Sequence, residues 1–314
     1  MMRKVKKCII HLGTPKTGTT SIQTIFSFNK DVLKTRSVLY PGSQLKHKAL
    51  LRSLCNEFTL SPDEHSVLNE INSEIKKTDC ETVFISDENF FNWSHKINFD
   101  KLKIFLENFF DESEFVICFR NPYDSLRSRC QEQIKSSGRT FEDLYERVYP
   151  LPIKENFEKI RQEFPDSKFH ILKYEESDNH LFLPEFFKTL NIEFSNLKKF
   201  DRIRANESLS QEAAYLISIF NKAVQAGEIE KKQKFVQFIR GFGKTKFFLP
   251  KEIYEQKEEK LDEQILYLKE NFEIIFTKPD LEQFETSNIE WTEKNTLELT
   301  VFFYSAKFSP ETRV

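Results

Sequence analysis

The chain has 314 residues and only seven glycines, where average usage of about 7% would give roughly 22. With 39% hydrophobic residues and 33 phenylalanines it carries material for a large core, so collagen-like, linker-rich and disordered classes are excluded. Lys+Arg (47) and Asp+Glu (49) nearly cancel, so no global charge points to nucleic acid or an anionic membrane, although a local anion site stays open. The five cysteines (Cys8, Cys55, Cys80, Cys118, Cys130) are odd in number and form no C-x-x-C pair. That pattern argues against a disulfide framework or a zinc site and suits a reducing, cytoplasmic setting.

In chain order, Met1–Lys7 is basic. The apolar stretch after it, Cys8–Leu12, is too short for a signal-peptide core. No run approaches the roughly 20 apolar residues of a membrane span. Val5–Leu12 reads as a buried strand ending at Gly13, and Thr19 to about Asn29 as a helix with Ile22, Ile25 and Phe26 on one face. Thr82–Ser86 is a second strand, followed by a helix with the stripe Phe99, Leu102, Phe105, Leu106 and Phe109. Glu114–Phe119 is a third strand; Pro122 then suits the first position of a helix, with Asn121 as its cap. Lys168–Leu172 is a fourth strand, with a helix around Leu181–Leu190. Strands alternating with amphipathic helices predict an α/β domain with a mostly parallel sheet. After about residue 206 the pattern turns helical, with stripes at Leu209–Phe220 and Leu261–Phe272. No linker or repeat interrupts the chain. The expectation is one continuous domain over 1–284, helical from about 206, and a tail 285–314 without a strong period.

The densest local signal is His11-Leu-Gly-Thr-Pro-Lys-Thr-Gly-Thr-Thr-Ser21, at a strand-to-helix turn. Such a turn aims backbone N–H groups and the helix dipole at an anion. Gly13 and Gly18 permit the tight turn, Thr17, Thr19 and Thr20 offer hydroxyls, and Lys16 offers charge. A Walker A loop needs lysine directly after its second glycine. Here Thr19 stands in that place, and the lysine comes two residues before Gly18. An ordinary threonine-rich strand–helix turn would have the same composition. A second motif, Phe119-Arg120-Asn-Pro-Tyr-Asp-Ser-Leu-Arg-Ser128, ends a strand in arginine and puts Asp124, Ser128 and Gln131 on one helix face. Arg120 and Ser128 could grip one phosphate from two sides; equally, Arg120 could simply pair with Asp124. Both motifs fall at the carboxyl edge of a parallel sheet, where open α/β sheets bind ligands. Together they imply a ligand with two separated phosphate-like groups.

At these residues the sequence resembles the sulfotransferases that use 3′-phosphoadenosine 5′-phosphosulfate (PAPS), in the style of their bacterial and carbohydrate-type members. Weaker matches extend the resemblance over roughly residues 7–275: Tyr40-Pro41-Gly42 with His47, Ser86-Asp87-Glu88, and Asn206-Glu-Ser-Leu-Ser210. The resemblance implies a P-loop-type three-layer fold and a 5′-phosphosulfate loop formed by Thr14, Pro15, Lys16, Thr17, Gly18, Thr19 and Thr20. It also implies a 3′-phosphate site at Arg120 and Ser128, with Arg204 as a further contact. Many relatives carry a basic residue five positions after the arginine, where this chain has Ser125. The implied reaction moves a sulfuryl group from PAPS to a hydroxyl or amine of a glycan or small metabolite, releasing PAP without a metal. Lys16 would meet the leaving-group charge, and Glu88 or His47 would take the acceptor proton. Asp87 competes with Glu88, and a salt-bridged or helix-capping carboxylate is the plain alternative for Glu88. His11, inside a strand, reads as a core histidine. Phe90, Phe91 and Trp93 read as core or as an acceptor platform. Two other functions fit parts of the pattern: a P-loop kinase with Asp87 as magnesium ligand, and a PAPS- or PAP-binding member without turnover. Nothing in the sequence identifies a nucleic-acid partner.

Overall fold

Runs such as Val-Lys-Lys-Cys-Ile-Ile-His and Thr-Val-Phe-Ile-Ser are too short and β-branched for helices and too apolar for an exposed edge. In the computed structural model, which describes residues 4–175, 179–198, 208–228, 236–237 and 239–284, they form one parallel sheet of five strands. The strands are β1 (Val5–His11), β2 (Val38–Leu39), β3 (Thr82–Ser86), β4 (Phe110–Arg120) and β5 (Lys168–Tyr174), in spatial order β2-β3-β1-β4-β5. The fold class is therefore α/β with a parallel sheet, as the alternating pattern predicts. In register, His11 pairs with Ser86 on one side and Val116 on the other, so the ends of β1 and β3 lie side by side.

The period of two sorts the strand residues into two cores, one on each sheet face. Cys8, Ile10, Val83, Ile85, Phe115, Ile117 and Phe119 face one, and Ile9, Phe84, Val116, Cys118 and Leu172 the other. Against the second face pack α1 (Thr19–Phe28), through Ile22, Ile25 and Phe26, and the helix Asn179–Thr189, through Phe182, Phe186 and Phe187. The first face is covered by α3 (Lys48–Ser53), α4 (Pro62–Lys77), α5 (Asn89–Asn92), α6 (Phe99–Phe109) and α9 (Ile153–Glu163). α2 (Lys30–Thr35) follows α1 and buries Leu33 in the second core. Helix starts follow their side chains: Ser61 and Glu64 form a reciprocal capping box on α4, and Asn98 caps α6.

Contacts divide the chain into two compact units. The first spans Met1–Pro122, Leu151–Ala205 and Gln264–Phe276, and holds the sheet and both cores. The second spans Tyr123–Pro150, Asn206–Glu263 and Thr277–Val314. It contains most of α7 (Pro122–Ser136), then α8 (Phe141–Arg147), and after α10 (Asn179–Thr189) of the first unit it resumes with α11 (Gln211–Gln225) and α12 (Lys251–Glu255). The last helix, α13 (Glu258–Phe272), starts in the second unit and ends in the first. The second unit is tied by side-chain amides, that of Asn221 buried. Asn221 Nδ2 donates to the carbonyls of Ile134 and Arg139, each at 2.8 Å, and Gln131 Nε2 donates to the Leu209 carbonyl at 3.1 Å. The helical segment expected after about residue 206 falls here, joined by residues 123–150. Among the described residues no helix is long and apolar enough to cross a membrane.

Candidate functional site

β1 delivers the chain to the sheet's carboxyl edge, and three residues in left-handed backbone then shape the loop: Gly13 (φ 61°), Lys16 (φ 67°) and Gly18 (φ 72°). Gly18 is the N-cap of α1 and has no side chain to satisfy the first-turn N–H groups; no acidic residue occupies that turn. The helix start is thus polarised toward an anion without an internal one. Lys16 is half-exposed at the loop tip. A non-glycine residue in this conformation costs about 1–2 kcal/mol, so the neighbours must hold it there. Arg120, at the end of β4 and nearly buried, does so by donating from Nη1 to the Lys16 carbonyl at 3.2 Å. Its guanidinium lies 5.9 Å from the Tyr174 ring centroid. The arginine expected at a 3′-phosphate therefore also braces the first loop.

The loop hydroxyls correct one expectation. Thr14, Thr17 and Thr19 are buried rather than presented as donors. Thr14 Oγ1 donates to the Cys118 carbonyl at 2.6 Å, and Thr17 Oγ1 donates to the Thr14 carbonyl at 2.8 Å. Thr19 Oγ1 donates to the same Thr14 oxygen at 3.4 Å. These hydroxyls fasten the loop to β4 and to itself. Pro15 and Thr20 are partly exposed along the same loop.

Glu88 meets this loop directly. A Cβ built on Gly13 would lie 2.8 Å from Glu88 Cα, so only glycine lets the two backbones approach this closely. The Glu88 side chain is partly exposed, does not cap α5, and forms an ion pair through Oε1 with Lys46. Asp87 differs in every respect. It is fully buried; its Oδ1 accepts from Asn89 N (2.9 Å) and Nδ2 (3.1 Å), and Oδ2 has no hydrogen-bond partner among the described residues. Burial, reinforced by the neighbouring Glu88 charge, pushes its carboxyl above the usual carboxylate range against the pull of the Asn89 bonds.

His47, the other candidate base that the resemblance implies, is buried. Its Nε2 donates to the Pro41 carbonyl at 2.9 Å, and its Nδ1 accepts from Ser86 N–H at 2.9 Å. Burial lowers its pKa to about 4, so the ring is a neutral structural bridge with both nitrogens committed to main chain. That geometry removes it from contention as the base. His11 is a core histidine as read, with Nδ1 2.9 Å from Ser86 Oγ and a pKa lowered by burial to about 3. Phe90 and Phe91 are fully buried core residues, not an acceptor platform, and Trp93 packs against Phe58 at 5.1 Å between centroids.

Ser128 lies partly exposed on α7, in the second unit. Asp124 on that helix pairs with Arg127 at 2.8 Å. Ser210 caps α11, accepting from Ala213 N at 2.9 Å, whereas Arg204 and Asn206 lie outside the described residues, as does the tail 285–314. Lys46 is the site residue that sequence reasoning missed: its partner is 42 positions away, and no spacing rule links a loop lysine to a strand-end glutamate.

No family model matches the chain, and no curated protein matches it. Among solved structures it is similar to a sulfotransferase from Alicyclobacillus acidocaldarius, at 13% identity and TM-score 0.39 over 76% of this chain and 100% of that one. It is similar to the sulfotransferase domain from the curacin biosynthetic pathway, at 12% identity and TM-score 0.38 over 85% and 99%. Retinol dehydratase in complex with androsterone and inactive cofactor PAP aligns at 14% identity and TM-score 0.30 over 88% and 83%.

Proposed function

We propose that the chain is a sulfotransferase that takes a sulfuryl group from PAPS and gives it to a hydroxyl or amine of an acceptor, a glycan or small metabolite. The observation that carries this is the juxtaposition at Gly13: a strand–loop–helix turn with Lys16 held left-handed at its tip sits backbone to backbone against the strand end bearing Glu88. The first-turn N–H groups of α1 and the Lys16 ammonium would hold the 5′-phosphate side of the donor, whose bound sulfuryl group supplies an electrophile on a phosphate leaving group. Lys16 would meet the charge that develops on that leaving oxygen, and the loop's fixed N–H dipoles need no reorganisation to do so. Glu88 would accept the proton that the acceptor loses as its bond to sulfur forms. Arg120 would contact the 3′-phosphate while keeping its bond to the Lys16 carbonyl. Of the three groups weighed as base, Glu88 alone combines an ionisable carboxylate, partial exposure and contact with the loop.

Three measurements test this. Adenosine 3′,5′-bisphosphate should stabilise the protein thermally without added metal, by about 2.7 kcal/mol at a hundredfold excess over Kd, and Arg120→Ala should weaken binding about tenfold or more. Stabilisation by ATP–Mg alone would overturn the proposal in favour of a kinase. Transfer from radiolabelled PAPS to a panel of amino sugars, monosaccharides and phenols should fall about a hundredfold or more in Lys16→Ala and collapse in Glu88→Gln. Full activity in Glu88→Gln would remove it as the base, and binding without transfer by the wild type would leave a silent nucleotide-binding protein.

A further inference from the structure

Resting on that reading, we propose that Lys46 is the positioning residue of Glu88: its ammonium holds Oε1 of the carboxylate and so leaves Oε2 to meet the acceptor. The ion pair itself is half-exposed, with the two side chains 35% and 27% accessible, and such pairs stabilise a fold by only about 0–1 kcal/mol. Stability therefore does not explain how firmly the backbone on each side of it is held. On the Lys46 side, the segment 40–47 is tied down at most of its residues. Tyr40 Oη donates to the Leu45 carbonyl at 2.7 Å, and Gly42 N donates to Glu74 Oε2 at 3.2 Å. Ser43 Oγ donates to Glu70 Oε2 at 2.8 Å, and Lys30 Nζ donates to the Gly42 carbonyl. His47 then closes the segment with its ring bonds to Pro41 and Ser86 and with its own N–H donating to the Ser86 carbonyl at 3.1 Å. On the Glu88 side, the backbone packs too close to Gly13 for any side chain there, and just beyond it Phe91 N donates to the Leu12 carbonyl at 3.3 Å. Both members of the pair thus stand on clamped main chain, and only their side chains retain freedom. Pre-organisation of this kind is what a transferring group needs and a surface ion pair does not.

Among the described residues, Oε1 of Glu88 is engaged by Lys46 and Oε2 by nothing. Asp87, the neighbouring carboxyl, is turned inward onto Asn89 and does not compete for the ammonium. Glu70 and Glu74 are held by Ser43 and Gly42. Lys46 is therefore left with Glu88 as its short-range partner, and the carboxylate is oriented from one side only.

The test is steady-state transfer from radiolabelled PAPS to whichever member of the acceptor panel the wild type uses, with the bisphosphate thermal shift as the check that each variant is folded and binds donor. In Lys46→Met, kcat is expected to fall about ten- to a hundredfold with acceptor KM within about twofold, and Lys46→Arg is expected to restore most of the loss. The double variant Lys46→Met/Glu88→Gln should be no slower than Glu88→Gln alone, because Lys46 acts only through that carboxylate. An unchanged kcat in Lys46→Met, a change confined to KM, an arginine variant as impaired as methionine, or additive losses in the double variant would each overturn the assignment. Absence of transfer by the wild type would instead overturn the sulfotransferase reading and take this proposal with it.

Discussion

Replacing Gly13 by alanine tests the contact on which the site is built. Two costs follow from the structure. Left-handed backbone at φ 61° costs an L residue about 1–2 kcal/mol. The added methyl meets Glu88 Cα at 2.8 Å and Cβ at 3.3 Å. Because the nearest atom is main chain inside a packed unit, relief requires a backbone shift, typically about 1–3 kcal/mol. Alanine returns about 0.4–1 kcal/mol by restricting the unfolded chain. The net destabilisation is about 2–4 kcal/mol, and with an m-value of about 3 kcal/mol/M the urea midpoint should fall by about 1 M. Gly227→Ala is the matched control: its φ is 76° but nothing lies within 4 Å of the new methyl, so strain alone remains, about 1 kcal/mol. Urea unfolding of the full chain, followed by fluorescence and circular dichroism, gives both numbers. Equal losses in the two variants, or an unchanged midpoint in Gly13→Ala, would refute the close approach of the loop to Glu88.

Other outcomes follow from the same geometry. At Lys16 (φ 67°) glycine should be more stable than alanine by about 1 kcal/mol, the reverse of the order inside a helix, while both variants lose transfer; chemical denaturation of Lys16→Gly beside Lys16→Ala checks it. His47, with its pKa lowered by burial to about 4 against about 6.5 when unfolded, contributes stability that is complete above pH 6.5 and is lost as pH falls toward 4. Urea midpoints across that window should fall steeply in the wild type and less so in His47→Asn. Glu114 is desolvated, but bonds from Lys7 and from His170 Nε2 (2.6 Å) outweigh burial and hold its carboxyl below the usual range. Its stabilisation is therefore present above pH of about 4.3 and disappears as pH drops through its lowered folded value. Glu114→Gln should cost about 1–3 kcal/mol at pH 7 and flatten the acid limb of a pH–stability curve.

The strands and the helices over them were legible because each carries its own period. Thr82–Ser86 is the same in sequence and structure, and Lys168–Leu172 lengthens by two residues. β4 starts at Phe110 rather than Glu114, because Asp111–Ser113 are polar residues that pair with the start of β1 and show no apolar run. β2 has only two residues, Val38–Leu39, too few for any period to register, and is made a strand by its pairing with Thr82 and Val83. In the site, Gly13, Gly18 and Lys16 stood out because their spacing encodes a backbone shape. The roles of Thr14 and Thr17 did not, since whether a hydroxyl faces ligand or main chain depends on partners such as the Cys118 carbonyl, 104 residues away. His47 as a candidate base misled for the same reason: its ring is bonded to the Pro41 carbonyl and to Ser86 at the end of β3, 39 residues away.

The two-way bond between His47 and Ser86 limits how the chain can breathe. Main-chain N–H of each residue is held by the other, so the segment 40–47 cannot swing outward without tearing the end of β3, which is itself hydrogen-bonded to β1. Segments of this kind open with the sheet, on the timescale of global unfolding, rather than fluctuating alone as surface loops do. The segment beside Glu88 is thus a fixed jamb and not a door.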